Sequence, residues 1–189
     1  MNSFNFQKTK IDGLILITPP IARDERGHFS KTFEVKLFSS NEINLSVAEE
    51  LESSSSCNTL RGLHFQWEHS QDKLVRVLSG EIYDVAVDLR SDSKTFGKWE
   101  SFYLSAENGT MLYIPKGFAH GFLAMQENTT LHYLCGDQYD PVHEDGIIWN
   151  DPELSIPWPL ICGKPPKMSR RDRAFQTFTQ FKERRTFRG

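Results

Sequence analysis

The sequence lacks any apolar run close to the roughly 20 residues that a membrane helix needs. Its first ten residues, MNSFNFQKTK, also contain no apolar stretch fit for a secretion signal. We therefore expect a soluble, cytoplasmic protein. Cysteine is scarce as well, and Cys57, Cys135 and Cys162 are odd in number and widely spaced. Such spacing fits neither a disulfide framework nor a zinc knuckle, so the sequence predicts reduced thiols.

Internal repeats and low-complexity segments are also missing, apart from SSSS at 53–56, which we interpret as a loop. What is present is aromatic bulk: 14 Phe and 4 Trp in 189 residues, with 38% hydrophobic and 25% charged residues. A disordered chain has no use for so many aromatic side chains. The length suits one domain with a sizeable core, so we predict a single domain over residues 1–189.

The net charge of −3 is unevenly distributed. Residues 164–189 hold nine Lys and Arg against two acidic residues, a net of +7, which leaves −10 for the rest of the chain. A basic tail can bind nucleic acid, but Phe175, Phe178 and Phe181 recur every three residues, as one side of a short amphipathic helix would. The sequence therefore favours a helix docked through its phenylalanines over a nucleic-acid-binding arm.

Most of the chain has the pattern of short strands separated by turn residues. The candidate strands are LILIT (14–18), HFSKTF (28–33), LRGLHFQ (60–66), KLVRVL (73–78), EIYDVAVDL (81–89), WESFYL (99–104), TMLYI (110–114), HGFLAM (120–125), TLHYLC (130–135) and GIIWN (146–150). Strands spaced in this way predict an all-β sandwich or barrel. Helical periodicity occurs only near residues 35–41 and in the tail.

Alternation within two of these strands indicates a polar interior. In EIYDVAVDL, Asp84 and Asp88 share one face, which makes that face too acidic for a sealed core. In TLHYLC, Tyr133 and Cys135 share a face, and His132 lies on the other. A barrel that holds a ligand inside would explain both patterns.

The stretch LRGLHFQ contains two polar side chains, Arg61 and His64, in an otherwise apolar strand. Strict alternation would send them to opposite faces. A bulge at Gly62 would bring them to the same face, because one extra residue shifts the pleat and glycine tolerates the backbone angles. The strand is therefore predicted to aim both side chains at one site.

The segment GTMLYIPKGFAH, residues 109–120, matches the second motif of the cupin barrels. Many cupins are metal enzymes whose first motif supplies a His-x-His pair and a glutamate. Here the comparable stretch reads HFQ from His64, and the next histidine is His69. A three-histidine metal site from His64, His69 and His120 is an open alternative. Without the His-x-His pair, the sequence favours a protein without a metal.

A longer series of motifs resembles the dTDP-4-dehydrorhamnose 3,5-epimerase family. It runs in the family's order from DERG at 24–27 to SRRD at 169–172, through LRGLHFQ, QDKLVRVLSGEIYDVAVDLR, SKTFGKW, LYIPKGFAHGF, LHYLCGDQYDP and EDGIIWNDPEL. The resemblance implies a cupin-type jelly roll without metal or other cofactor, usually a homodimer, with a nucleotide sugar as its partner. Such enzymes invert the carbons beside the ketone of a nucleotide-linked 4-keto sugar, for surface polysaccharide synthesis.

The resemblance also implies roles for particular residues. It places His64 at the general base, Asp172 at the carboxylate that partners it, and Tyr133 at the general acid. Lys73 would serve the oxygen on which enolate charge develops, since a proton beside a ketone leaves only when that charge is stabilised. Further substrate-binding positions are Arg26, Lys31, Glu49, Arg61, Asp84, His120 and Tyr139.

This chain departs from the family at the nucleotide-binding positions. The family usually has glutamate at the position of Lys31, and Gln-x-Asn where this chain has Glu49 and Leu51. An ammonium offers no acceptor to the ring N–H of thymine, so we predict a substrate with another base, such as guanine. The sugar length and the choice of C3, C5 or both stay open. So do two other classes, a metal-dependent cupin isomerase or dioxygenase and a noncatalytic sugar-nucleotide binding protein.

Overall fold

The computed structural model describes residues 3–184. Its helices are α1 (Val35–Ser39) and α2 (Phe178–Arg184), with 3-10 turns at Ile161–Gly163 and Asp172–Ala174. Its strands are β1 (Asn5–Lys8), β2 (Ile15–Thr18), β3 (Ile21–Asp24), β4 (Gly27–Ser30), β5 (Glu49–Ser55), β6 (Leu60–Gln66), β7 (Lys73–Ser79), β8 (Glu81–Asp88), β9 (Trp99–Ser105), β10 (Met111–Ile114), β11 (Phe118–Ala124), β12 (Thr129–Cys135) and β13 (Glu144–Gly146).

Two antiparallel sheets face each other. One has six strands in the order β1-β2-β10-β7-β12-β5, and the other has five in the order β13-β6-β11-β8-β9. From β5 to β13 the chain changes sheet at every connection except β8 to β9, which is the path of a jelly roll. The prediction of an all-β, cupin-type jelly roll with a few short helices is confirmed.

Alternation along the strands separates an inner core from an outer one. On β8, Ile82 and Ala86 point between the sheets, while Val85 and Val87 point outwards. The outer side is covered by the C-terminal segment, including Phe178 at 3% and Phe181 at 0% exposure. Burying one large apolar side chain contributes about 1.5–3 kcal/mol, so this segment is held firmly against the five-stranded sheet.

The outer face of the six-stranded sheet is covered at one end by α1. Phe38 on this helix is fully buried, and its ring contacts the rings of Phe4, Phe6 and Phe33 edge-on. The predicted helix near residues 35–41 is confirmed. The docked helix in the tail is confirmed for Phe178 and Phe181, whereas Phe175 lies before that helix and contacts His64. Residues 185–189 of the basic tail lie outside the described residues. Within residues 3–184, no helix is both long and apolar enough to cross a bilayer.

Three details of the predicted secondary structure were wrong. The serines at 53–55 lie in β5, because the edge of β12 supplies a full antiparallel ladder for them. The predicted strand HFSKTF ends at Ser30, where β4 finishes its pairing with β3 in a separate hairpin. The predicted strand GIIWN is replaced by β13, which ends at Gly146. Cys57, Cys135 and Cys162 are free thiols.

Candidate active site

A cavity of about 290 Å³ opens between the two sheets. Strands β5, β7 and β12 of the six-stranded sheet form one wall, and β6 and β11 of the five-stranded sheet form the opposite wall. Polar side chains line it from both sides. They are Glu52, Ser53, Arg61, His64, Gln66, Gln71, Lys73, His120, Tyr133, Cys135, Tyr139 and Glu144.

A bulge in β6 aims Arg61 and His64 into this cavity. His64 lies opposite His120 on β11, and Arg61 lies opposite Phe122, so three residue steps on β6 match two on β11. Gly62 sits at the bulge with φ of +106°, and a Cβ there would lie 2.5 Å from the carbonyl oxygen of His120. Side chains other than hydrogen do not fit. The predicted bulge at Gly62 is confirmed.

His64 is held by a carboxylate from the C-terminal segment. Its Nε2 lies 3.2 Å from Oδ1 of Asp172, and the same oxygen accepts a hydrogen bond from the Ser169 hydroxyl at 2.7 Å. The other oxygen accepts one from the Gly62 N–H at 3.1 Å. Burial alone would raise the pKa of Asp172, but the bonds from His64, Ser169 and Gly62 outweigh it and lower this pKa to about 2. The carboxylate is therefore ionised at neutral pH.

Lys73 stands on the opposite wall in a row of polar residues. Cys135 on β12 is its cross-strand neighbour, and Glu49 on β5 is the neighbour of Cys135. Burial lowers the pKa of Lys73. Its ammonium has no hydrogen bond or ion pair with any residue in the described range 3–184. Glu49 does not line the cavity, and its Oε2 is buried without a hydrogen-bond partner among the described residues.

Tyr133 lies two residues before Cys135 on β12 and lines the same cavity. Its hydroxyl is 3.2 Å from Oγ of Ser53, a member of the serine run that forms β5. Burial raises the pKa of Tyr133, so the phenol keeps its proton at neutral pH. Leu51, Glu52 and Ser53 of β5 all line the cavity, and the interpretation of the serine run as a loop missed the part of the wall that β5 forms.

A second histidine–carboxylate pair lies beside the first. Nε2 of His120 is 2.8 Å from Oδ2 of Asp84, and Asp84 is fully buried. The other carboxylate oxygen, Oδ1, has no hydrogen-bond partner among residues 3–184. The cross-strand pairing of His64 with His120 therefore places two imidazoles side by side, each anchored through Nε2 to a different aspartate.

The rim of the cavity contains a network that the sequence did not predict. The hydroxyl of Tyr139 donates to Oε2 of Glu144 at 2.7 Å, and Arg171 also donates to this carboxylate and to the Glu144 carbonyl. Arg61 donates to Oγ of Ser55 at 3.1 Å, so its guanidinium is fixed by β5. Neither Glu144 nor Arg171 has a sequence signal beyond its place in a family motif.

Two predicted binding residues lie away from the cavity of this chain. Arg26 pairs with Asp24 at the turn of the β3–β4 hairpin, and Lys31 pairs with Glu34 at 2.9 Å. Neither lines the cavity, so their binding roles stay predictions.

The three-histidine alternative is not formed. His69 is 62% exposed and its nearest acidic partner is Asp137, whereas His64 and His120 line the cavity. In the described range, no group of three or more His, Cys, Asp and Glu side chains is placed to hold a metal ion.

A jelly roll with a histidine–carboxylate pair facing a half-buried lysine and a half-buried tyrosine has the groups that acid–base chemistry needs. A sequence model of the dTDP-4-dehydrorhamnose 3,5-epimerase family matches residues 8–180. The chain belongs to this family. The family prediction is confirmed, and with it the coarser prediction of an epimerase.

Three relatives illustrate the match. The dTDP-4-dehydrorhamnose 3,5-epimerase of Methanothermobacter thermautotrophicus is 46% identical over 173 residues, which cover 92% of this chain and 94% of the relative. The 3,5-epimerase of Legionella pneumophila in complex with dTDP-4-keto-L-rhamnose has a TM-score of 0.93 at 40% identity, with 98% of each chain covered. A 3′-monoepimerase of Streptomyces bikiniensis in complex with dTDP-quinovose has a TM-score of 0.86 at 31% identity, with 93% and 88% covered.

Proposed function

We propose that this chain inverts C3, C5 or both of a nucleotide-linked 4-keto sugar, by removing the proton beside the ketone and returning one to the opposite face. The observation that carries the proposal is the contact of His64 Nε2 with Asp172 Oδ1, on the wall of the cavity that faces Lys73 and Tyr133. Acid and base on opposite walls can reach opposite faces of a sugar ring between them. Inversion needs that arrangement.

His64 is the proposed base. When Nε2–H donates to the Asp172 carboxylate, Nδ1 keeps its lone pair and can take the proton from carbon. The ionised carboxylate fixes the tautomer and stabilises the imidazolium that forms. The rings of His64 and Phe175 pack edge to face with their centroids 5.5 Å apart, and this contact limits rotation of the imidazole.

Lys73 is the proposed partner of the enolate oxygen. Removing a proton beside a ketone moves negative charge to the carbonyl oxygen, where a cation held ready lowers the barrier. Burial lowers the pKa of Lys73, which makes its ammonium a stronger hydrogen-bond donor towards that oxygen. No cofactor is needed for this step.

Tyr133 is the proposed acid. A general acid must carry its proton at the working pH, and the raised pKa of this buried phenol meets that requirement. A noncatalytic binding protein would have no use for His64, Asp172 and Tyr133 around one cavity. Their arrangement favours an enzyme.

The identity of the nucleotide is the finer part of the proposal. The relatives from Legionella pneumophila and Streptomyces bikiniensis were crystallised with dTDP compounds, which favours thymine. Leu51 lines the cavity at a position where the family has an amide that suits a base or phosphate. This replacement favours a nucleobase other than thymine. Lys31 bonds Glu34 instead, so the prediction of another base now depends on Leu51 and Glu49. We further propose a homodimer that acts in surface polysaccharide synthesis.

The test is deuterium exchange. The protein is incubated in deuterated water with dTDP- and GDP-linked 4-keto-6-deoxyhexoses and 4-keto heptoses, and NMR follows C3 and C5. We expect exchange and epimer formation with at least one substrate. His64→Asn should lose about 10²–10⁴-fold in exchange. Retained exchange at both carbons in this variant would show that another residue is the base.

A further inference from the structure

Two polar groups near the cavity have atoms without a hydrogen-bond partner in the described part of the chain. Oδ1 of Asp84 is buried and accepts no hydrogen bond from residues 3–184, although Oδ2 is bonded to His120. The ammonium of Lys73 has no hydrogen bond and no ion pair within the same described range. A buried polar group without a partner is costly, and such groups call for an explanation. Both belong to the same interior, since Lys73 lines the cavity and Asp84 is bonded to His120, which also lines it.

We propose that Asp84 is a positioning residue for Lys73: its free oxygen supplies the negative charge that keeps the buried ammonium cationic and directed at the enolate oxygen. His120 holds the other oxygen, Oδ2, at 2.8 Å, so the carboxylate cannot rotate to satisfy Oδ1 elsewhere. The inference rests on the proposed function in one respect, that Lys73 serves the enolate. The electrostatic effect of Asp84 on Lys73 does not depend on it.

Several charged or titratable groups surround Lys73. From the facing and neighbouring strands these are Arg61, His64, Asp84, His120, Tyr133, Cys135, Glu49 and Glu144, with Tyr139 at the rim. Burial lowers the pKa of Lys73, and the negative charges of Cys135, Glu144 and Asp84 oppose that effect.

Asp84 differs from the other two groups in having a buried oxygen without a partner among residues 3–184. Burial raises the pKa of Cys135, so this thiol carries no charge there. The Glu144 carboxylate is already paired with Arg171 at the rim. Asp84 contacts no Lys or Arg side chain within residues 3–184, and its bond to His120 leaves one oxygen unshared there.

The direct test measures Lys73 without any substrate. Competitive labelling with acetic anhydride across pH 7–11, read by peptide mass spectrometry, reports the fraction of free amine at Lys73. Asp84→Asn keeps the shape of the side chain and removes its charge. We expect the labelling midpoint of Lys73 to move to lower pH by roughly half a unit to one unit, as loss of a nearby charge in a partly screened interior gives.

Asp72→Asn is the matched control. Asp72 is also buried and adjoins Lys73 in sequence, but its carboxylate accepts the Tyr113 hydroxyl at 3.1 Å on the outer side of the sheet. This variant should leave the Lys73 midpoint unchanged. An unmoved midpoint in folded Asp84→Asn, or an equal shift in both variants, would overturn the inference.

A second readout is the pH–rate profile for exchange of the α-proton. In Asp84→Asn the basic limb of the profile should move to lower pH. In a Lys73→Arg background the same substitution should leave the basic limb where it is in Lys73→Arg alone, because guanidinium stays charged. A basic limb that moves equally in both backgrounds would contradict the proposal.

If the wild-type protein exchanges no substrate at all, the proposed function fails, and the labelling result still decides the role of Asp84. Should Asp84→Asn not fold, Asp84→Glu, which retains the charge, should keep the wild-type midpoint, and a lowered midpoint there would overturn the inference.

Discussion

Replacing Tyr133 with phenylalanine should separate the two halves of epimerisation. The substitution removes one hydroxyl, whose partner is Ser53 Oγ at 3.2 Å. A neutral hydrogen bond contributes about 0.5–1.5 kcal/mol, and Ser53 borders a cavity where water can replace it, so the free energy of unfolding should fall by less than about 1 kcal/mol. If the phenol returns the proton, net epimerisation should fall by ~10²–10⁴-fold, or about 3–5 kcal/mol of activation free energy.

The assay compares two rates in one sample. In deuterated water, NMR follows loss of the α-proton signal and appearance of the epimer at the same time. His64 is intact in Tyr133→Phe, so it can still remove a proton and return a deuteron to the same face. Exchange should therefore survive better than epimerisation.

Tyr113→Phe makes the same chemical change on the opposite face of the same sheet. The Tyr113 hydroxyl donates to the Asp72 carboxylate at 3.1 Å, and a bond to a charged group contributes about 1.5–3 kcal/mol. This control should lose more stability than Tyr133→Phe and keep both rates. Equal losses of exchange and epimerisation in Tyr133→Phe would refute the reasoning and show that Tyr133 positions the sugar.

Three further predictions concern acid stability, metals and the nucleobase. Because the folded pKa of Asp172 is about 2 against an ordinary 3.8, its contribution of about 2 kcal/mol is complete above the ordinary value and lost as pH falls through 2. In Asp172→Asn the free energy of unfolding, measured by circular dichroism, should therefore depend less on pH between about pH 4 and 2 than in the wild type. An unchanged pH dependence would contradict the pairing of Asp172 with His64. A strong chelator should leave turnover unchanged, since Lys73 is assigned to the enolate oxygen; loss restored by a divalent metal would support the metal-dependent cupin alternative. Exchange should be faster with a GDP-linked than with a dTDP-linked 4-keto sugar, and the reverse order would show that Leu51 and Glu49 do not select the base.

The strands that sequence predicted well are those that alternate between core and cavity. β8 is an example, because Asp84 shares an inward face with Ile82 and Ala86 and is bonded to His120, which lines the cavity. Asp88, on the same predicted face, is instead bonded to Arg90, Ser93 and Thr95. β5 was missed because EELESSS has little intrinsic strand signal, and its structure depends on pairing with β12. Strand propensity is set largely by such neighbours, which a local pattern does not contain.

The site follows the same rule. Gly62 could be interpreted as a bulge because glycine, arginine and histidine stand together in one short run. The contacts of Arg171 with Glu144, and of His64 with Asp172, join segments that only the folded chain brings together. The free oxygen of Asp84 has no sequence signature, because it depends on what is absent around it in three dimensions.

The proposed base and its carboxylate, His64 and Asp172, are 108 residues apart in the sequence, so the dyad closes only after the C-terminal segment has docked on the five-stranded sheet. A nascent chain that has completed β12 has both walls of the cavity but no partner for His64. Such a chain could bind its ligand and would still be inert. Catalysis would then begin with the docking of the last 20 or so described residues, which makes turnover a direct reporter of finished folding.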